Sequence, residues 1–214
     1  WLFDWGLLNQ GEVEKDEVRL RNRYWEKGYL DFAVTTQVIK TDDPEYVDVL
    51  FKIEEGEPYK VGEVKVEGVT TFPVEDIRAM IPLETGQTYN YKLSNIAVQR
   101  VKNKYFRKGY CDIRVTPKLD PDYDTHTVNV TFIIDEGIPY VVRDTNISGN
   151  KITKDYVIRR ELAIHPGDPV DNVRIDASKS RLMAMNYFKN VEAFPTATDE
   201  QGKKDVNFEV EEKG

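Results

Sequence analysis

The sequence is poor in the residue types from which active sites are built. Cys111 is the only cysteine, and the two histidines, His126 and His165, occupy positions that do not correspond in the repeat described below. An internal disulfide is excluded, and we expect no metal site or catalytic dyad, since both need imidazole or thiolate groups that converge. No apolar run approaches ~18 residues, so we expect no membrane-spanning helix. A net charge of −8 argues against nucleic-acid binding.

Sequence motifs of catalysis are missing as well. There is no G-x-S-x-G, P-loop, C-x-x-C or H-E-x-x-H pattern. Acids recur in "EEG" (54–56) and "DEG" (135–137), but they lack the dense Asp/Asn spacing of a calcium loop. We interpret them as solvated acids at strand ends. The chain is therefore predicted to be no enzyme and to bind no cofactor, and a hydrolase that uses carboxylates stays as a remote alternative.

What the sequence does contain is an internal repeat. "YWEKGYLDF" (24–32) returns as "YFRKGYCDI" (105–113), and "EEGEPY" (54–59) returns as "DEGIPY" (135–140), in both cases 81 residues later. Such a period predicts an array of similar modules, here two complete modules and part of another.

The middle repeat, residues 58–138, predicts the content of one module. Val64 and Val66 alternate with charged residues as in a strand with one buried face. A short helix follows Pro73, and a longer helix runs from Asn90 to Lys108. Gly109 ends it, because glycine adopts the left-handed conformation of a helix C-terminus without steric cost.

Two further strands complete the module, by alternation at Cys111–Val115 and at Val128–Phe132, with "DPDYDTH" (120–126) as the connection. The predicted fold class is α+β, with tandem β-α-α-β-β modules whose two helices pack on one face of a three-stranded mixed sheet. In the last repeat Asn186 replaces the glycine, 77 residues after Gly109, so the terminal module is predicted to be shorter by about one helical turn.

These features resemble those of POTRA modules. The resemblance rests on the G-Y helix stop, the "EG-x-P/Y" junction and the stretch "ISGNKITKDYVIRREL" (147–162). That last stretch is similar to the barrel-proximal POTRA of the BamA branch of the Omp85 family. Two departures from the family pattern are Thr145, where a larger apolar residue is common, and "HPG" (165–167), where an acid often precedes the glycine.

The resemblance implies three modules. Residues 1–56 are expected to form a partial POTRA with the second helix and strands 2 and 3, preceded by a connector at residues 1–8. Residues 57–138 are expected to form a complete POTRA, and residues 139–214 a POTRA of the barrel-proximal type. "GEP" (56–58) and "GIP" (137–139) leave little linker, so we expect stiff junctions.

The resemblance also implies a function. It implies modules at the periplasmic face of the outer membrane that help to fold and insert other proteins. The implied partners are unfolded outer-membrane β-barrel proteins, accessory lipoproteins, and a C-terminal membrane β-barrel of the same chain, with no nucleic acid. The POTRA region of a TamA-like or two-partner secretion transporter is the alternative.

The resemblance also implies a strand order in which strand 1 lies beside strand 3 and strand 2 lies at the edge of the sheet. Another chain can pair with such an edge, so the candidate binding residues lie in strand 2. The preferred docking strand has no proline and consists of Phe32, Ala33, Val34, Thr35, Thr36, Gln37 and Val38. The equivalent edge of the middle module includes Ile113, Arg114 and Val115, and Pro117 limits it. By the resemblance, Arg159 and Arg160 are candidates for contact with a helical lipoprotein.

Overall fold

A computed structural model describes residues 9–43 and 46–213, so the connector expected at residues 1–8 lies outside the described residues. The first segment contains α1 (Gln10–Trp25), β1 (Ala33–Lys40) and β2 (Val47–Glu54). The second contains β3 (Lys60–Glu67), α2 (Val74–Arg78), α3 (Tyr91–Phe106), β4 (Arg114–Asp122) and β5 (Thr127–Asp135). The third contains β6 (Val141–Ser148), α4 (Asp155–Arg159), α5 (Asn172–Ala184), β7 (Phe188–Ala197) and β8 (Lys203–Glu212).

The second and third segments confirm the predicted order of strand, helix, helix, strand and strand, and with it the α+β class. The third strand of each is central, because the sheet orders are β3-β5-β4 and β6-β8-β7. The sheet of the third segment is mixed, since β6 runs parallel to β8 while β7 runs antiparallel to it. The second strand of each segment therefore lies at a sheet edge, as the sequence predicted.

Local sequence sets both ends of the long helices. Each helix begins after a residue whose side chain accepts a backbone N–H of the first turn, and these N-caps are Asn9, Asn90 and Asp171. The helix stops Gly28 and Gly109 have φ angles of 90° and 89°, in the left-handed region that glycine enters freely. Asn186 takes the same conformation with φ of 62°, as predicted for the shortened last repeat.

Two predicted boundaries are wrong. α3 ends at Phe106 rather than Lys108, and β4 continues to Asp122, so that the hairpin turn is only residues 123–126. The strand passes through Pro121 because an edge strand tolerates a residue without an N–H. α2 is only five residues long, and so is the corresponding helix α4 of the third segment.

Alternating apolar residues bury one face of each sheet. On β5, Val128, Val130 and Phe132 are fully buried, as the alternation predicted. The core of the third segment draws on both helices and all three strands, together with Cys111. Its members are Val142, Ile158, Leu162, Ile164, Val170, Ile175, Leu182, Phe188, Val191, Val206, Phe208, Val210 and Cys111.

The chain divides into two compact units. Unit 1 comprises Trp1–Lys65, Ile81–Ala97 and Pro117–Phe132, and unit 2 comprises Val66–Met80, Val98–Thr116 and Ile133–Gly214. These units do not follow the module boundaries expected from the repeat. Each unit instead contains one junction between neighbouring segments, because the backbone of one segment lies directly against the next at each junction, as described below.

Candidate binding edges and segment junctions

The open edge of β1 is the first candidate site. Within the described residues β1 pairs on one side only, antiparallel to β2, from Ala33 opposite Glu54 to Lys40 opposite Val47. α1 contacts the same strand, and the Thr36 hydroxyl donates a hydrogen bond to the Glu17 carboxylate. The other edge of the strand leaves backbone N–H and C=O groups available for pairing.

The residues predicted for this docking strand do not contribute equally. Phe32 precedes the strand, and its ring is buried and stacked on Tyr24 with 4.2 Å between the ring centroids. Phe32 therefore belongs to local packing and lies outside the open edge of β1. The remaining predicted residues all lie in β1: Ala33, Val34, Thr35, Thr36, Gln37 and Val38.

The corresponding edge of β4 is a poorer template for pairing. Ile113 precedes the strand and is buried, Val115 is also buried, and only Arg114 of the three predicted residues is exposed. Pro117 and Pro121 both lie within the strand and point their nitrogens to the same side, because N–H direction alternates along a strand. A proline within a sheet occupies an edge with its nitrogen toward solvent, so this edge lacks two donors.

The two helix-stopping glycines also hold the next segment, a role that the sequence analysis missed. The carbonyl of Gly28 accepts the N–H of Tyr59, and that of Gly109 accepts the N–H of Tyr140, each at 2.9 Å. A Cβ atom at Gly109 would lie 2.4 Å from the carbonyl oxygen of Tyr140. The signal was present in the sequence, since each glycine precedes its tyrosine by 31 residues.

Polar contacts at the two junctions differ. In unit 1, the Tyr59 hydroxyl donates to Asp31 at 2.8 Å, and burial together with this bond raises the pKa of Tyr59 to about 12. In unit 2, Lys204 donates to both Asp112 oxygens at 2.7 and 2.9 Å and lies 4.4 Å from the ring centre of Tyr140. Burial alone would lower the pKa of Lys204, but the hydrogen bond and charge of Asp112, together with the contribution of Cys111, outweigh burial and the pKa is raised.

Glu136, the acid of "DEG", has a structural role. Its carboxylate accepts the backbone N–H groups of Thr70 and Thr71 at 2.8 and 3.0 Å, in the loop that follows β3. It also accepts the hydroxyl of Tyr105 at 2.6 Å. Burial opposes ionisation, but these hydrogen bonds outweigh it and lower the pKa of Glu136 to about 2.

The third segment repeats this arrangement with Glu212. Its carboxylate accepts the backbone N–H groups of residues 151–153 in the loop after β6, and these bonds lower its pKa to about 2. In the first segment, Glu55 accepts the Tyr24 hydroxyl at 2.7 Å. The interpretation of the "EEG" and "DEG" acids as simply solvated is therefore wrong for Glu136, because this residue holds the loop between the first strand and the first helix of its segment. Glu212 holds the corresponding loop of the third segment.

The two candidate arginines of the third segment have different surroundings. Arg159 is held within the segment, because it donates to Asp155 at 2.5 Å and to the carbonyl and hydroxyl oxygens of Thr145 at 2.9 and 3.0 Å. This contact accounts for a polar residue at the buried position 145. The Arg160 side chain is 62% exposed, and among residues 9–43 and 46–213 its single ion pair is the 3.4 Å contact with the adjacent Glu161. Of the pair, Arg160 is the side chain available to a partner.

The described residues offer little for chemistry. They contain no group of three or more His, Cys, Asp or Glu side chains that could hold a metal ion. His126 lies 3.6 Å from Glu57 and His165 lies 3.7 Å from Asp168, each in a local surface pair. Among the helices of this same part of the chain, none has the length and apolar character needed to cross a membrane.

Comparison with known proteins is consistent across sequence and structure. The POTRA family model, described as surface antigen variable number repeat, matches residues 6–56, 59–137 and 140–213. The chain is 27% identical over 217 residues to the outer membrane protein assembly factor BamA of Neisseria meningitidis, a match that covers 100% of this chain and 27% of that protein. It is 28% identical over 213 residues to a putative outer membrane protein assembly factor of Treponema pallidum, covering 97% of this chain and 25% of the relative.

The chain thus spans about a quarter of the length of these two relatives. Among solved structures, the crystal structure of Haemophilus influenzae BamA POTRA3-5 matches with a TM-score of 0.84 and 24% identity. That match covers 97% of this chain and 84% of the other. It shows that the two chains share a fold.

Proposed function

Because the chain belongs to the POTRA family, we propose that it is the periplasmic scaffold of an outer-membrane protein assembly factor, divided into modules at residues 1–56, 57–138 and 139–214. It holds unfolded β-barrel clients by adding a client segment to the edge of its own sheet, and it docks accessory proteins on a helical face. It performs this role without catalysis. The names of the relatives support an assembly factor over the transporter alternative.

The observation that carries client binding is the position of the second strand at the edge of each sheet. An extended segment can pair with such an edge through backbone hydrogen bonds alone. Backbone pairing tolerates many side-chain sequences, and an assembly factor that serves many clients needs that tolerance. An unfolded β-barrel protein supplies extended segments of alternating polarity, which suit this mode of binding.

β1 is the best template among these edges. It offers a strand of eight residues without proline, whereas β4 contains Pro117 and Pro121 and β7 contains Pro195. Thr35 and Gln37 are exposed on β1, so a paired segment meets no buried side chain that must move. We therefore assign the docking strand to Ala33–Val38.

A pair of proline variants tests this assignment. N–H direction alternates along a strand, so either Val34→Pro or Thr35→Pro removes a donor from the open edge, while the other removes a donor to β2. Val34→Ala and Thr35→Ala are the matched controls, because they change the side chain and keep the N–H. We expect at least one folded proline variant to crosslink less to unfolded barrel peptides than its alanine control. Equal crosslinking by both folded proline variants would exclude pairing at this edge.

Accessory docking is proposed at the α4 end of the third segment, and Arg160 provides its test. Arg159→Glu would break the contacts to Thr145, so its effect on binding would be mixed with an effect on folding. Arg160→Glu is expected to weaken co-purification of a helical accessory lipoprotein while circular dichroism stays unchanged. Arg181→Glu on α5 is the control, because Arg181 is also exposed and lies on the other helix. Unchanged co-purification of the Arg160 variant would contradict this docking site.

A further inference from the structure

The C-terminal part of α3 and the turn after it form a positive region in an acidic chain. Between Val98 and Cys111 there is no Asp or Glu, although the whole chain has a net charge of −8. The cations of this stretch are Arg100, Lys102, Lys104, Arg107 and Lys108. Such a concentration of one sign raises the local concentration of oppositely charged groups.

Four of these five cations differ from Lys15, Arg19 and Arg23 on α1 in having no acidic partner among the described residues. On α1, the side chains of Lys15, Arg19 and Arg23 each pair with an acid three residues away. In the positive stretch, Lys104 pairs with Asp76 at 3.1 Å. The other four cations have no carboxylate oxygen within 4 Å in the part of the chain that the structure describes. α3 thus presents charge that no neighbouring side chain of the described residues neutralises.

Three of the cations line a groove beside the end of α2. The groove has a volume of ≈ 520 Å³ and is lined by Met80, Arg100, Asn103, Lys104 and Arg107. We call it the cationic groove. Arg100 lies on α3 and Arg107 is the first residue of the turn after it. They are seven residues apart, so their separation along the helix direction is about 10 Å. Met80 and the arginine stems supply apolar surface beneath the charged groups.

We propose that the cationic groove docks an acidic segment of another polypeptide. Guanidinium groups form paired hydrogen bonds with carboxylates, and a separation of about 10 Å matches acids about three residues apart on an extended segment or seven apart on a helix. An anionic lipid surface is the less favourable occupant, because it would repel the rest of a chain with net charge −8. This surface shares no residue with the strand edge of β1, so the two binding modes are independent.

The test uses the whole 214-residue chain and two probes, a fluorescein-labelled decaglutamate peptide and vesicles containing phosphatidylglycerol. Binding of the peptide is measured by anisotropy and mapped by amide chemical shifts. The doubly neutralised variant Arg100→Gln/Arg107→Gln is compared with Lys60→Gln/Lys65→Gln, which removes the same charge from β3. We expect the peptide to shift resonances of residues 98–108 and to bind the arginine variant about fivefold more weakly at low salt. The lysine variant should bind like the unmodified chain.

Each other outcome overturns the proposal. If the two double variants lose affinity equally, the interaction reflects net charge and no groove is involved. If the peptide does not bind, or if its shifts map elsewhere, the groove is not a docking site for acidic segments. If the vesicles bind through the two arginines and the peptide does not, the occupant is a membrane surface. Circular dichroism of both variants establishes that folding is retained, since all four side chains are at the surface.

Discussion

At the residue scale, the chain uses carboxylates to fix loops. Glu136 and Glu212 occupy corresponding positions at the ends of their modules, and each accepts backbone N–H groups from the loop after the first strand. The donors of that loop have no partner in regular secondary structure, so an ionised carboxylate satisfies them with charge-assisted hydrogen bonds. This use of an acid explains why the repeat keeps a glutamate at a site that shows no catalytic feature.

Replacement of Glu136 should therefore remove part of the pH dependence of stability. The pKa of Glu136 is about 2 in the folded chain and returns toward 4.5 on unfolding, so the unfolded state takes up the proton first as the pH falls. The stabilisation is complete above about pH 5 and is lost as the pH falls from about 4.5 to 2. We expect Glu136→Gln to lower the free energy of unfolding by about 1–3 kcal/mol at pH 7 and to have little effect near pH 2.

Urea unfolding at a series of pH values measures this effect. Glu84→Gln is the matched control, because Glu84 is an exposed acid of the same module. A Glu136→Gln variant that loses the same stability at pH 7 as at pH 2 would contradict the role of the ionised carboxylate.

Cys111 gives a second prediction at this scale. Its thiol is buried at the junction in unit 2, and burial raises its pKa to about 11. At pH 8 only about one thiol in a thousand is then ionised, and the thiolate is the reactive form. We expect a thiol reagent such as dithionitrobenzoate to label the native chain far more slowly than the urea-unfolded chain. Equal labelling rates would show that this junction is open in solution.

At the scale of elements, the helix-stopping glycine joins two modules. Gly109 is the last residue of the turn that follows α3. Its carbonyl accepts the N–H of Tyr140 at the start of the next module. The junction thus depends on the absence of a side chain at one position. Lys204 and Asp112 add a charged pair at the same junction, and Lys204 is only 12% exposed there.

Comparison of Gly109→Ala with Gly167→Ala separates the cost of crowding the Tyr140 backbone from the cost of placing alanine in a left-handed conformation. Gly167 has φ of 90°, almost the same as the 89° of Gly109, but a Cβ at Gly167 would meet nothing within 4 Å. Gly167→Ala should therefore cost only the left-handed strain of about 1–2 kcal/mol. Gly109→Ala should cost clearly more and should speed hydrogen exchange at the Tyr140 amide. Equal losses of unfolding free energy in the two variants would show that the close approach of residue 109 to the Tyr140 backbone does not affect stability.

Much of the order of helices and strands could be predicted from the sequence, because the signals that begin and end the helices are local. The caps Asn9, Asn90 and Asp171 and the glycine stops act within a few residues, so the repeat displays them directly. The role of Glu136 was not accessible in this way, because its partners Thr70 and Thr71 lie 66 and 65 residues earlier. For the same reason the sequence predicted an edge strand but placed Phe32 in it, although the stacking of Phe32 on Tyr24 removes it from the edge.

At the scale of the whole molecule, the proposed function is that of a chain of modules that binds unfolded clients by its strand edges. The second and third segments share one strand order with the second strand at an edge, and in the first segment β1 pairs on one side only within the described residues. β1 differs from β4 and β7 in containing no proline. The proposed activity needs no reaction centre. It needs an accessible backbone on one side of a strand and a scaffold that keeps that strand in place.

Hydrogen exchange along β1 would detect this backbone pairing. The amides of residues 33–40 would be followed by NMR with and without an excess of an unfolded barrel peptide, and the central strand β5 would serve as the internal reference. Strand addition predicts slower exchange at every second amide of β1, since alternate N–H groups point to the open edge. β5 should be unchanged. Exchange in β1 that is unaffected by a peptide known to bind, or protection that appears only in the helices, would contradict binding by strand addition.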